Sequence, residues 1–146
     1  MKGSEKQMWA WLRPHLAPYL RMQRIENVVG EGTPDIFFTA RARCGWLELK
    51  YRAQSPQRDT TPLFTAATGM RRSQLAWINR FHAANTHIIL RAGCQLWCVP
   101  GGRAHQINGM SAAALTAICT VHFPSIRGLR AVHWDTLSRV VSHPEA

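Results

Sequence analysis

Apolar positions follow two periods along this chain. From residue 4 to 28, Met8, Leu12, Leu16, Tyr19 or Leu20, and Ile25 recur every three or four residues, the spacing of one helical face. Pro14 and Pro18 oppose a single straight helix. The expectation is a short first helix and a second from about His15 or Pro18 to Asn27. VVGEGTP then breaks the pattern with two glycines and a proline. Two strands are predicted next, at about Asp35–Thr39 and Trp46–Tyr51, and the short ARARCG between them favours an antiparallel hairpin. Residues 52–70 show no periodicity and carry two prolines. A loop of that length in a compact domain is usually functional or mobile. A helix follows from about Arg71 to Ala84, burying Leu75, Ile78 and Phe81 or His82. HIILRAG and CQLWCVPG read as short buried strands, and GGRAHQINGM as a glycine-rich turn. SAAALTAICTV reads as a helix capped by Ser111, and WDTLSRVV as a last short helix. The order α, β, β, loop, α, β, β, α predicts an α/β (α+β) fold, a small sheet with helices packed on it.

The 146 residues fit a single domain, and 46 % hydrophobic content suffices for a core. No run approaches the roughly 18 apolar residues of a membrane helix. The N-terminus lacks the apolar stretch and cleavage site of a secretory signal, so a cytoplasmic location is expected. Charge changes the picture more. Eighteen Lys and Arg face eight Asp and Glu, a net +10, and fifteen of the eighteen are arginine. Arginine's planar fork suits phosphate, and such an excess attracts a polyanion. Nucleic acid is therefore the expected partner. Cys44, Cys94, Cys98 and Cys119 are expected as buried free thiols in a reducing compartment. CQLWC with CTVH could in principle make a zinc site, but strand geometry holds Cys94 and Cys98 well apart.

Against this basic background a few acids stand out. Side chains alternate faces along a strand, so Trp46, Glu48 and Lys50 share one face and Leu47, Leu49 and Tyr51 the other. One face looks like core; the other carries a charged pair. A hairpin closed at ARARCG brings Asp35 beside Glu48. Two carboxylates held close repel unless a cation or proton is shared, and carboxylates, a backbone carbonyl and waters suit Mg²⁺ or Mn²⁺. Lys50 beside them would orient a water or stabilise charge on a phosphoryl oxygen. The plainer alternative is an exposed hairpin face with a Glu–Lys pair and a turn aspartate.

The ordered set Glu26, Gly32-x-Pro34-Asp35, Glu48-x-Lys50 and Gln74-x-x-Trp77 resembles the PD-(D/E)xK nuclease superfamily over roughly residues 20–100. The branch it looks most like is the small stand-alone virus-type replication-repair nucleases, which are similar to Holliday-junction resolvases. The resemblance implies a restriction-endonuclease-like αβββαβ core, with residues 101–146 as a C-terminal extension of extra helices. That core needs a third strand before the Gln74 helix, for which NVVGEG or the long loop is the place. The resemblance further implies that Asp35, Glu48 and the Leu49 carbonyl hold the metal, with Glu26 contacting it through water or completing the acidic cluster. Lys50 would position or activate water, and Gln74 would orient Lys50 or the water, or reach phosphate. Gly32 and Pro34 would shape the turn that presents Asp35. The implied reaction is Mg²⁺- or Mn²⁺-dependent hydrolysis of DNA phosphodiesters, leaving 5′-phosphate and 3′-hydroxyl ends, in a protein of phage or replication-repair type. Structure-selective cutting of branched or junction DNA, and a homodimer, go with it.

Arg24, Arg52, Arg58, Arg71 and Arg72 are the candidate DNA contacts, Arg71 and Arg72 aided by a helix N-terminus. The loop 52–70 is expected to be a mobile DNA-facing element or, equally, a tolerated insertion. Trp9 and Trp11 are expected in the core or an interface, and His82 and His87 are expected to be structural. Two rivals stand beside the nuclease: a non-catalytic basic DNA-binding module with the same fold, and an assembly partner using Trp9, Trp11, Trp97 and Trp134 as an interface.

Overall fold

The computed structural model describes residues 3–25, 31–41 and 43–143. Six strands form one sheet in chain order: β1 (Arg21–Arg24), β2 (Ile36–Ala40), β3 (Arg43–Arg52), β4 (Thr86–Ala92), β5 (Gln95–Pro100) and β6 (Val121–Phe123). Only β3 and β4 run parallel; every other neighbouring pair is antiparallel. The parallel pair needs a crossover, supplied by the loop after β3 and helix α2 (Arg72–Arg80). Helix α1 (Gly3–Leu16) precedes the sheet, α3 (Ala112–Ile118) lies between β5 and β6, and α4 (Ala131–Ser142) ends the described chain. A 3-10 helix, Gly101–Gln106, fills the glycine-rich turn. The fold is thus a mixed α/β sheet flanked by helices, and α1, β1–β3, α2, β4 follow the αβββαβ order.

Alternation along β3 and β4 explains the two cores. Leu47, Leu49 and Ile89 pack with Met8, Leu12 and Leu16 of α1 and Trp134, Leu137 and Val141 of α4. Ile88 and Leu90 pack on the opposite side with Ile78 of α2, Leu115 of α3 and Trp97 of β5. Both faces of the sheet are covered, as the apolar run His87–Leu90 demands of a central strand.

Several expectations need correction. Among the described residues no second helix follows α1 before the first strand. β1 stands at Arg21–Arg24 and pairs with β2 from Arg21↔Thr39 to Arg24↔Ile36; it is the missing core strand, found upstream of NVVGEG and outside the long loop. The helical spacing of Tyr19 and Ile25 was misleading because Leu20 closes the preceding turn and Met22 packs on the core as a strand residue. Pro14 is tolerated because it lies in the last turn of α1, where only one late hydrogen bond is lost. β6 was not anticipated; three residues at the sheet's edge carry too little pattern. The loop 52–70 is anchored to the body of the fold at its C-terminal half. Leu63, Phe64 and Met70 are buried, and Asn108 grips both the N–H and the carbonyl of Met70, at 2.8 and 2.7 Å. Trp9, Trp97 and Trp134 are buried, and half-buried Trp11 packs on Trp134 and His15, so these four belong to this chain's own packing.

His87 agrees with its expected structural role, whereas the cysteines match only in part: Cys98 is buried, but Cys44 and Cys94 are exposed. The four cysteines are free, and burial pushes the Cys98 thiol up to about 12. His87 is buried, with Nε2 2.8 Å from Asn85 Oδ1, and burial lowers its pKa from 6.5 to about 4. The unfolded chain therefore binds the extra proton between those two values, so stability falls as pH drops from 6.5 to 4. His87 accounts for up to about 3 kcal/mol of that loss. Denaturant titrations of the wild type and His87→Gln across that window should show a correspondingly shallower pH slope in the variant.

Candidate active site

The β2–β3 pairing stops at Ile36↔Leu47. Two residues further along the same edge of β3, the Leu49 N–H needs another acceptor. Asp35 supplies it: Oδ2 accepts from Leu49 N at 2.9 Å. The Leu49 carbonyl leaves the strand on the same side as its N–H, so it faces the same gap. The turn before Asp35 is fixed from outside. Gly32 has φ +85°, and a Cβ there would lie 2.0 Å from the Ser73 carbonyl oxygen. Only glycine allows this approach, and it joins the Asp35 turn to the start of α2.

Glu48 and Lys50 share a face, as strand alternation predicts, but that face is not exposed. Glu48 is 1 % and Lys50 3 % accessible, which excludes the plain solvated Glu–Lys pair. Gln74, in the first turn of α2, bridges them. Its Nε2 donates to Glu48 Oε1 at 3.0 Å, and its Oε1 accepts from Lys50 Nζ at 2.9 Å. The Arg71 N–H also donates to Gln74 Oε1, at 2.9 Å, which fixes the amide's orientation. Glu48 Oε2 is left buried with no hydrogen-bond partner.

That orphan oxygen has an electrostatic signature. Burial, and then the charge of Asp35 close by, hold the Glu48 carboxyl well above its ordinary value of 4.5, against the opposing pull of Lys50. Desolvating a carboxylate costs several kcal/mol, and the Lys50 ammonium is already shared with Gln74 and Glu5. Two acceptor-only groups facing one another cannot satisfy each other unless a proton or a cation lies between them. The hard oxygen donors of Asp35, Glu48 and Leu49 therefore fit a divalent cation. Among the described residues, no group of three or more His, Cys, Asp or Glu side chains is gathered as a metal site.

A further carboxylate escaped the reading of the sequence. Glu5, in the first turn of α1, places Oε1 3.8 Å from Lys50 Nζ. It arrives from the helix packed on the opposite side of the sheet, where β3 extends beyond its pairing with β2. The available signal was the stripe Glu5, Met8, Leu12, Leu16: an acid heading an otherwise apolar helical face. Glu26 lies outside the described residues.

The candidate DNA-contacting arginines divide. Arg71 and Arg72 are exposed at the start of α2, and Arg58 is exposed in the loop. Arg52 is half-buried and donates to the carbonyls of Pro62 and Leu63, at 3.3 and 3.1 Å. Both bonds come from Nη1, which braces the loop. Arg24 is half-buried at the end of β1.

No protein-family model and no curated protein matches the chain. Among solved structures, Archaeoglobus fulgidus Hjc, a Holliday junction resolvase from an archaeal hyperthermophile, aligns over 77 % of this chain and 88 % of its own, with 16 % identity and a TM-score of 0.47. A likeness of that degree concerns the path of the chain and assigns no chemistry. No helix among the described residues is long and apolar enough to cross a membrane.

A raised acid pKa means the native state binds more protons than the unfolded chain. Stability is therefore lost as pH rises from 4.5 through the folded value. Removing the charge removes that loss. Glu48→Gln, which keeps the acceptor for Gln74, should melt at least about 2 °C above the wild type at pH 7 in EDTA. The difference should vanish near pH 4, as scanning calorimetry at both pH values would show.

Proposed function

We propose that this protein is a divalent-metal-dependent DNA endonuclease that hydrolyses phosphodiester bonds in branched or junction DNA. The observation that carries the reading is the buried Glu48 carboxylate, its Oε2 unsatisfied, set against Asp35 and beside Lys50. A non-catalytic DNA-binding module has no use for acids buried against each other in a chain of net charge +10.

Asp35, Glu48 and the Leu49 carbonyl would hold Mg²⁺ or Mn²⁺. When bound, such an ion supplies a Lewis acid for the phosphoryl oxygen and a water of lowered pKa. The chain's own residues do the rest. Gln74 fixes both Glu48 Oε1 and Lys50 Nζ, so neither side chain has to reorganise when substrate arrives. Lys50 sets a cation beside the carboxylates, where it can orient the attacking water and oppose charge growing on the phosphate. Glu5 holds the Lys50 ammonium from its other side. Arg71 and Arg72, at the positive end of α2, draw the backbone in. The products would carry 5′-phosphate and 3′-hydroxyl ends. A homodimer would present two such sites to a two-fold symmetric junction. Both acids must be ionised, so activity rises from acid to neutral pH.

The test uses labelled linear duplex, flap and four-way-junction DNA with Mg²⁺, Mn²⁺ or EDTA. Cutting should need the metal and favour branched substrates. Asp35→Asn and Lys50→Ala should each lower the single-turnover rate by at least about 100-fold while binding persists. Cutting that survives EDTA or Asp35→Asn contradicts the proposal. Tight binding with no cutting of any substrate makes the protein a DNA-binding module.

A further inference from the structure

Beside the carboxylates, four aromatic rings form a continuous row. Phe37 meets Trp46 with centroids 5.2 Å apart, Trp46 meets Trp77 at 5.4 Å, and Trp77 meets Phe81 at 4.8 Å. The row begins next to the site. Trp46 lies two residues before Glu48 on the same face of β3, and Trp77 follows Gln74 by three residues, one turn further along α2. It ends in solvent. Phe37, Trp46 and Trp77 are half-buried, whereas Phe81 is 44 % exposed; Phe81 and Val132 are the large apolar side chains left exposed among the described residues. Packing explains the inner rings but does not require the outer one, since Phe81 caps α2 and covers no core.

Along α2, at the outer end of the row, the charge is of one sign. The segment Arg71–Phe81 carries Arg71, Arg72 and Arg80 and no acid, and the Arg80 guanidinium lies 5.4 Å over the Phe81 ring. A half-exposed ring covered by arginine is a surface for a flat group attached to a polyanion, because a base can stack on the ring in place of the guanidinium, which then swings to the phosphate. The distance also fits. Seven residues of helix separate Phe81 from Gln74, about 10 Å, and a stacked strand advances about 3.4 Å per nucleotide. A base roughly three positions from the phosphate at the site would reach Phe81.

We infer that Phe81, backed by Trp77, stacks on an unpaired base of the DNA, so that the preferred substrate is one whose strand leaves the duplex near the cut. This deepens the proposed nuclease reading and rests on it for the position of the cut. A fully paired helix keeps its bases stacked inside and offers Phe81 no free face.

The test is equilibrium binding in EDTA, so that no strand is cut, with 2-aminopurine either at an unpaired position beside a flap or in a fully paired duplex. Wild-type protein should quench the unpaired probe on binding. Phe81→Ala should lose that quenching and weaken flap binding by about 5- to 100-fold, while changing duplex binding less than about twofold. Phe81→Tyr should restore both, and equal melting temperatures would show that the variants fold. Equal losses on both substrates, or no loss on either, overturn the inference. So does a Phe81→Ala protein that changes from dimer to monomer in sedimentation with quenching intact, which would make the row an interface between copies. Because nothing is cut, quenching by a protein that never cleaves would refute the nuclease reading alone. Cleavage without selective loss in Phe81→Ala would refute the stacking alone.

Discussion

Two carboxylates meet where the β2–β3 pairing ends, and the surrounding structure is arranged to keep them there. Asp35 closes the edge of the sheet by accepting the Leu49 N–H, a bond that would otherwise belong to the ladder. Glu48 is carried to the same place by strand alternation and buried under α2. Neither acid can move away: one caps a strand edge, and the other is held by Gln74. Their repulsion is therefore built into the fold. Lys50 offsets part of it, yet Glu48 remains difficult to ionise. A protein that only needed to fold would place an apolar side chain at Glu48, since a buried charge is poor evidence for stability.

The rest of the architecture serves that junction through a few close approaches. Gly32 lets the Asp35 turn touch the first residues of α2, which ties the position of Gln74 to that of Asp35. The loop after β3 is pinned by Arg52 and Asn108 and inserts Leu63, Phe64 and Met70 into the core. That anchoring sets where α2 begins. α1 contributes Glu5 from the opposite side of the sheet, through the gap left where β2 stops short of β3.

The parts of this arrangement written in local pattern were legible in the sequence. Period-two alternation is a property of neighbouring residues, so the shared face of Glu48 and Lys50 and the hairpin that delivers Asp35 could be read directly. Gln74 was legible as part of a motif on a helix. Three features were not. β1 was hidden because Leu20, Met22 and Ile25 fit a helical spacing as well as a strand, and only pairing with β2 decides between them. The burial of the charged face depended on α2 lying over it, a tertiary fact that no window of β3 contains. Glu5 lies 45 residues from Lys50 in sequence, and their meeting follows from packing alone. Arg52, read as the first residue of the loop, instead ends β3 and turns its Nη1 onto the loop's carbonyls.

The central claim is that Asp35 and Glu48 form a pair awaiting a cation, and calorimetric titration of the metal-free protein with Mn²⁺ at pH 7, without DNA, tests it most directly. Saturable binding is expected, lost in both Asp35→Asn and Glu48→Gln while the fold persists. Binding that is unchanged in both variants, or no binding by the wild type, would contradict it.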